Sequence, residues 1–155
     1  MAALESLIID REKEGKALHK DFFRRAAAID KMLAEIKSSS HLSIKEYRER
    51  FEKKVRLLTN GHEIDKGRLE MEVAIFAKNI DISEEITRLK NHLANFKRTL
   101  GVNGEAGKKI DFIAQELHRE INTIGSKASD FKISRNVIDI KSEIEKVREQ
   151  AKNIE

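Results

Sequence analysis

The hydrophobic residues of this chain recur every three or four positions from one end to the other. That spacing places them along one side of an α-helix, because an α-helix has 3.6 residues per turn. The pattern predicts about six helices, over approximately residues 3–37, 43–59, 65–79, 81–100, 108–127 and 133–154. The sequence therefore predicts an all-α fold, an elongated antiparallel helical bundle with coiled-coil-like seams.

The first 60 residues are predicted to form a helical hairpin arm. The apolar residues of its first helix are Leu4, Leu7, Leu18, Phe22, Ile29, Met32 and Ile36. The serine cluster Ser38 to Ser40 is expected to end this helix. A second helix is expected to begin at Ser43, because Ser43 and Glu46 have the spacing of a capping box, and to stop at Asn60-Gly61. Residues 61–155 then carry the remaining helices, and residues 1–155 are interpreted as a single domain.

Two predicted loops separate the last three helices. They are Gly101 to Gly107, which contains three glycines, and Gly125 to Lys132. The last helix has apolar residues at strict heptad spacing, which indicates a long helix–helix seam. These residues are Ile133, Val137, Ile140, Ile144, Val147, Ala151 and Ile154. Such seams close either within one bundle or against another subunit, and the pattern favours the two equally.

The composition restricts the class of protein. Hydrophobic residues make up 39% and charged residues 37% of the 155 positions, which suits helices with a wet face and argues against disorder. No apolar run approaches the ~20 residues that a membrane-spanning helix needs, and the first residues lack the features of a secretory signal. The absence of cysteine excludes thiolate chemistry and disulfides. A net charge of +4 is compatible with a polyanionic partner, whereas 5% aromatic residues argue against base stacking as the main nucleic-acid contact.

Polar residues able to bind a metal or a phosphate occupy one flank of each of two predicted helices. On the fifth helix they are Glu116, Glu120, Thr123 and Lys127, and on the fourth they are Asp81, Glu85, Arg88 and His92. If these helices pack through their apolar stripes, the two polar arcs face a common cleft. Several carboxylates with one imidazole suit Mg²⁺ or Mn²⁺ better than structural Zn²⁺. Arg88 and Lys127 could neutralise a phosphate.

Each of these residues also has a purely structural interpretation. Acidic and basic residues three or four positions apart are common as surface ion pairs, for example Glu85 with Arg88. A half-buried histidine such as His92 is often bonded to a neighbouring carboxylate. Glu116 and Glu120 could pair with a basic side chain of another helix or subunit. The sequence contains no HExxH motif, no P-loop and no GxGxxG motif after a strand.

Two sequence runs resemble signatures of a known family. Residues 81–92 read DISEEITRLKNH, similar to a DIxEExxRLxxH signature, and residues 109–127 read KIDFIAQELHREINTIGSK, similar to a KLDFxxQExxREaNTxgSK signature. Both signatures are typical of the YicC family of bacterial proteins, called YloC in Bacillus-type members. The resemblance covers essentially the whole chain and is closest to the C-terminal half of the family. One departure is Asn91, where a serine is common before the histidine.

The resemblance implies a cytoplasmic, metal-dependent endoribonuclease that cleaves structured RNA and assembles as a homo-oligomer, a hexamer in the full-length family. It implies a further N-terminal domain, which no part of this chain resembles. The catalytic and metal-binding candidates carried over are Glu85, His92, Glu116 and Glu120, around a divalent Mn or Mg ion. The RNA-binding candidates are Arg88, Arg119, Asn122 and Lys127. In an alternative role, His92 acts as a general acid–base without touching metal. The alternative function is a non-catalytic helical oligomerisation or RNA-binding module whose chemistry depends on the missing domain.

Overall fold

The computed structural model describes residues 2–59, 64–101, 106–128 and 130–153, with the side chains of 2–12 and 106 left out. Its five described helices are α1 (Ala2–Leu58), α2 (Lys66–Asn79), α3 (Ser83–Leu100), α4 (Ala106–Lys127) and α5 (Phe131–Ala151). The described residues contain no strand, so the predicted all-α class is confirmed. No described helix contains a stretch apolar enough to cross a membrane.

The prediction of two helices before residue 60 is wrong, since α1 runs without a break through the serine cluster. Ser43 does not act as a cap; its hydroxyl donates to the carbonyl of Ser39 at 3.1 Å, and that of Ser40 donates to Lys37 at 2.9 Å. A serine hydroxyl satisfied in this way is compatible with a helix interior. The apolar stripe also keeps one phase across the cluster, from Ile36 to buried Ser43, so a break would misalign it.

The remaining helix boundaries follow the sequence signals closely. Asp65 caps α2 by accepting from the backbone N–H of Arg68, and Asp130 caps α5 by accepting from Lys132. The second predicted loop is shorter than expected, because α4 continues through Gly125 to Lys127. Several predictions lie wholly or partly outside the described residues or side chains: the stripe positions Leu4, Leu7 and Ile154, the stop at Asn60-Gly61, and residues 102–105 of the glycine loop.

Helices α1, α3, α4 and α5 pack as a four-helix bundle, each against two neighbours. Neighbouring helices run antiparallel. Arg25 of α1 binds Glu143 of α5, whereas Glu35, later in α1, accepts from Asn136, earlier in α5. Likewise, Arg148 near the end of α5 binds Asp111 near the start of α4. Every described apolar position of the α5 heptad pattern is buried. The core is completed by residues of the other three helices, among them Ala26, Leu33, Leu89, Leu93, Ile113, Leu117 and Ile121. The coiled-coil character of these seams stays a prediction.

Beyond the bundle, the C-terminal part of α1 pairs with α2 to form an arm. At a rise of 1.5 Å per residue, the 57 residues of α1 extend about 85 Å, longer than the helices beside it. In the arm, Tyr47 stacks on Phe76 with ring centroids 3.7 Å apart, and Leu69 and Val73 of α2 are buried. The arm is a packed antiparallel pair, formed by α1 and α2 rather than within residues 1–60.

A group of charged side chains joins α1 to α5. Arg25 donates to Asp21 of its own helix and to Glu143 of α5, both at 2.7 Å, and Lys146 also donates to Glu143. Partial burial raises the pKa of Glu143, but the bonds from Lys146 and Arg25 outweigh burial and lower that pKa overall. The pKa of Asp21 is also lowered: burial raises it, and the bonds from Arg24 and Arg25 lower it by more.

This group predicts a loss of stability in acid. Carboxylates with lowered pKa contribute stability that is complete above their unfolded pKa, about 4, and is lost as the pH falls through the folded pKa. The free energy of unfolding, measured with urea, should therefore be level near pH 7 and fall steadily below about pH 4.5. Glu143→Gln should flatten part of this decline, whereas the exposed Glu149→Gln on the same helix should leave it unchanged. Equal pH profiles for the two variants would contradict the assignment.

Candidate functional site

The two predicted polar arcs meet where α3 packs antiparallel on α4. Lys127, at the end of α4, donates to the Glu85 carboxylate near the start of α3 at 2.8 Å. Further along the seam, Arg88 of α3 lies 3.8 Å from the Glu120 carboxylate of α4. Both helices are strongly amphipathic, so burying their apolar stripes against each other necessarily brings the adjoining flanks together. The arcs therefore line one shared seam.

Among the residues of this seam, Glu85 has the most unusual environment. It is only 6% exposed, and its Oε1 accepts from Lys127 while its Oε2 is buried with no hydrogen-bond partner. Burial raises the pKa of Glu85, but the hydrogen bond and charge of Lys127, with a further contribution from Arg88, more than offset it and lower that pKa. Glu85 is therefore an ionised carboxylate with one free buried acceptor oxygen, an arrangement that folding alone does not favour.

Lys127 links the end of α4 to the turn before α3. Besides Glu85, its ammonium donates to the backbone carbonyl of Asp81 at 2.8 Å. The Asp81 carboxylate in turn accepts from the backbone N–H of Ser83, and hydrogen bonds from Ser83 lower the pKa of Asp81. A cation in the last turn of a helix is also favoured by the helix dipole. Lys127 is thus held in place by three independent features.

Arg88 lies between an exposed carboxylate and a buried one. It forms ion pairs with Glu84 of its own helix and with Glu120 of α4. Glu120 is buried, whereas the Glu84 side chain is mostly exposed and Arg88 itself is 47% exposed. The pairing of Glu85 with Arg88 that the sequence suggested is wrong, because Glu85 binds Lys127. Glu84 was not among the predicted site residues, although its four-residue spacing from Arg88 is a recognised ion-pair signal.

His92 and Glu116 lie one turn further along the same seam. Moving four residues along each antiparallel helix from the Arg88–Glu120 pair brings His92 level with Glu116. Both side chains are half-buried, and among the described contacts no hydrogen bond or ion pair engages either of them. They therefore lie beside the cluster with their polar groups available.

Two of the predicted RNA-binding residues lie off this seam. Arg119 is exposed on α4, and its flanking position leaves it without an ion pair among the described residues. Asn122 is exposed on the opposite flank, where its amide lies 3.1 Å from the ring nitrogen of His118. The structure thus brings Glu85, Arg88, Glu120 and Lys127 into contact and leaves Asn122 apart.

The predicted metal ligands do not form a coordination shell within one chain. Among the described residues, no group of three or more His, Asp or Glu side chains is arranged so that it could hold a metal ion. The two most buried carboxylates, Glu85 and Glu120, are instead neutralised by Lys127 and Arg88. The described residues of a single chain therefore do not fit a resident Mn²⁺ or Mg²⁺, and the ion stays a prediction.

Comparison with known proteins adds an independent observation. Residues 36–155 match the family model described as "Endoribonuclease YicC-like, C-terminal". The chain is 43% identical over 146 residues to the probable endoribonuclease YicC of Clostridioides difficile (strain 630), covering 94% of this chain and 50% of that protein. It is 31% identical over 159 residues to the probable endoribonuclease YicC of Haemophilus influenzae, covering 100% and 55% respectively. The chain spans about half the length of the curated relatives it matches.

Proposed function

Since this chain belongs to the endoribonuclease YicC-like family, whose C-terminal part it matches, we propose that its bundle carries the RNA-cleaving site of an endoribonuclease. The substrate class is taken from the relatives, which are named probable endoribonucleases. The proposed site is the α3–α4 cluster, which consists of Glu85, Arg88, Glu120 and Lys127. The single observation that supports it most is the buried Glu85 carboxylate, which keeps one oxygen unpartnered while the other accepts from Lys127. We extend the proposal to structured RNA as the preferred substrate.

Arg88 and Lys127 are the proposed phosphate-binding groups. The Arg88–Glu84 pair is exposed to solvent, and such pairs contribute only about 0–1 kcal/mol. An RNA phosphate offers a guanidinium two acceptor oxygens in a matching geometry, so it can replace Glu84. Glu120 remains behind Arg88 and keeps the guanidinium directed along the seam. Lys127 supplies a second positive charge, which would bind another phosphate of the RNA backbone.

Glu85 is the residue proposed to accept a hydrogen bond from the attacking group, which is either a hydroxyl group or a water molecule. An ionised carboxylate can only accept hydrogen bonds. When Lys127 turns towards a phosphate, both Glu85 oxygens become acceptors, and one of them already lacks a partner. His92 and Glu116, one turn away, are the proposed proton-transfer groups, because an imidazole both accepts and donates protons. This assignment needs no metal in any step, and the Mn²⁺ or Mg²⁺ requirement is tested separately by comparing cleavage in chelator and in added metal.

Cleavage of a hairpin RNA tests the site. Under single-turnover conditions, His92→Ala and Glu120→Gln should each lower the cleavage rate, His92→Ala by about 100-fold or more, the usual contribution of a general acid–base group. Arg88→Gln should weaken RNA binding as well as cleavage. The matched control is Lys90→Gln, since Lys90 is exposed on the opposite flank of α3 and should leave both quantities unchanged. Full activity in both His92→Ala and Glu120→Gln would exclude this site.

A second candidate function is a helical module that binds RNA without cutting it. The observation that favours it is that both buried carboxylates of the cluster are paired with cations and gather no metal shell. In that case the wild-type chain would bind the hairpin in a salt-dependent manner, and no cleavage would occur with or without Mn²⁺. The homo-oligomer predicted from the family resemblance stays a proposal, tested by the molar mass in solution.

A further inference from the structure

The α1 segment of the arm carries an excess of positive charge. Residues 43–58 of α1 contain six lysines and arginines against three glutamates, which accounts for three of the four net positive charges of the whole chain. Arg48 and Arg56 are engaged with Glu70 and Glu52. Arg50, Lys53 and Lys54 are exposed, and among the described residues no ion pair engages any of them. We call these three residues the arm cations.

The arm cations share one side of α1. Residues three and four positions apart are neighbours on a helix surface, so Arg50 lies next to both Lys53 and Lys54. Leu57, 76% exposed, is one turn beyond them. Glu46 and Glu49 lie one turn before Arg50 and Lys53, yet neither forms an ion pair with them in the described structure. The three charges therefore face solvent together, a pattern that attracts a polyanion.

The arm presents these charges from a packed pair of helices. The stacked rings of Tyr47 and Phe76 and the buried Leu69 and Val73 hold α2 against α1. The base of the arm adjoins the candidate site, because Ser40 and Ile44 of α1 line the same pocket as Asp81, whose carbonyl accepts from Lys127. From Ile44, the arm cations lie about 9–15 Å further along the helix axis.

From this arrangement, and resting on the proposed function, we infer that the arm is a second RNA-binding surface, in which Arg50, Lys53 and Lys54 bind backbone phosphates of the RNA whose cleavable strand lies at the α3–α4 cluster. Backbone contacts of this kind position a nucleic acid without reading its sequence. RNA is favoured over an acidic protein as the occupant, because the adjoining cluster already offers Arg88 and Lys127 to the same polyanion and the relatives are named probable endoribonucleases. The base of the arm would then set the distance between the arm cations, which bind the RNA, and the α3–α4 cluster, where the RNA is cleaved.

The test compares two triple variants of the whole chain that remove equal charge. The first replaces the arm cations (Arg50→Gln, Lys53→Gln, Lys54→Gln), and the control replaces three exposed lysines on the bundle part of the same helix (Lys16→Gln, Lys20→Gln, Lys31→Gln). Binding of a fluorescent, non-cleavable hairpin RNA is measured from 50 to 200 mM salt. The arm variant should bind about tenfold or more weakly, and its slope of log affinity against log salt should fall by about 2–3, roughly one for each lost phosphate contact. In the control variant, the loss of affinity and the decrease in salt slope should each be less than half as large.

A second measurement locates the RNA directly. Because the chain lacks cysteine, Leu57→Cys and Ile138→Cys each provide one labelling site, both at exposed apolar residues on different helices. Adding the hairpin should change the emission of a probe at position 57 and leave that at position 138 unaffected. Equal salt slopes for the two triple variants, or a response at 138 alone, would overturn the inference. A changed molar mass in the arm variant with unchanged RNA binding would also overturn it, since the arm would then bind protein.

These outcomes are separable from failure of the proposed function. If His92→Ala and Glu120→Gln abolish cleavage but the arm variant binds normally, the arm inference fails and the cleavage site stands. If the arm variant loses binding while the wild-type chain cuts no RNA under any condition, the arm inference stands and the cleavage proposal fails. If the wild-type chain does not bind the hairpin, both are wrong.

Discussion

Replacing Ile140 with alanine is expected to lower the free energy of unfolding by about 2–5 kcal/mol, the range for removing a large aliphatic side chain from a packed core. Ile140 is fully buried on α5, between helices α1 and α4. The loss has two parts, the transfer energy of the removed methyl and methylene groups and the cavity they leave. Urea denaturation at pH 7 measures it as a shift of the midpoint at constant slope.

The matched control lies two residues away. Ile138 is on the same helix but 66% exposed, so Ile138→Ala removes little buried surface and should cost less than about 0.5 kcal/mol. Both substitutions replace isoleucine with alanine in the middle of α5, so differences in helix propensity cancel. A similar loss in both variants would mean that Ile138 is covered in solution, for example by another subunit, and that the exposed face of α5 is an interface.

Replacing Lys127 with methionine is expected to be the second large effect, because it leaves the buried Glu85 carboxylate without its cation. Unpairing a fully buried charge costs about 3–5 kcal/mol, and since Lys127 is one-third exposed, we expect a loss of about 1–3 kcal/mol. With the bond from Lys127 gone, burial raises the pKa of Glu85. The cost should therefore be greatest near pH 7 and shrink as the pH falls and Glu85 becomes protonated.

Two further variants separate this effect from simple loss of a lysine. Glu85→Gln combined with Lys127→Met should recover part of the stability, because the double variant has no buried charge to leave unpaired. Lys90→Met, on the exposed flank of α3, should change the unfolding free energy by less than about 0.5 kcal/mol at any pH. A Lys127→Met loss that does not depend on pH would contradict the Glu85–Lys127 pairing.

The bundle could be predicted from the chain because the spacing of apolar residues within each helix identifies the side of that helix that is buried. The heptad residues of α5 are all buried wherever they are described, and the predicted stripes of α3 and α4 form their common seam. The error at Ser38 to Ser40 arose because serine was taken as a breaker. Within α1 the hydroxyls of Ser40 and Ser43 donate to carbonyls of the preceding turn, so these serines are compatible with a helix interior. A continuous helix also keeps the buried stripe of α1 aligned with the neighbouring helices.

The candidate site could be predicted only in part. Helical spacing correctly indicated which residues share a flank, so the facing arcs of α3 and α4 were foreseen. Spacing carries no information on how far one helix is displaced along another. That axial displacement decides that Glu85 meets Lys127, that Arg88 meets Glu120, and that the carboxylates bind cations instead of gathering around a metal.

The amino-acid sequence by itself thus determined the helical class, the buried face of each helix and the pair of flanks on which the charged residues lie. These properties depend on interactions within a few turns of one helix, which spacing records. Only the tertiary structure decided the continuity of α1, the pairing of α2 with its distant half, and the partner of each charged side chain. Those outcomes depend on which segments are brought together by burying the core, and the free energy of that burial is shared by all helices at once.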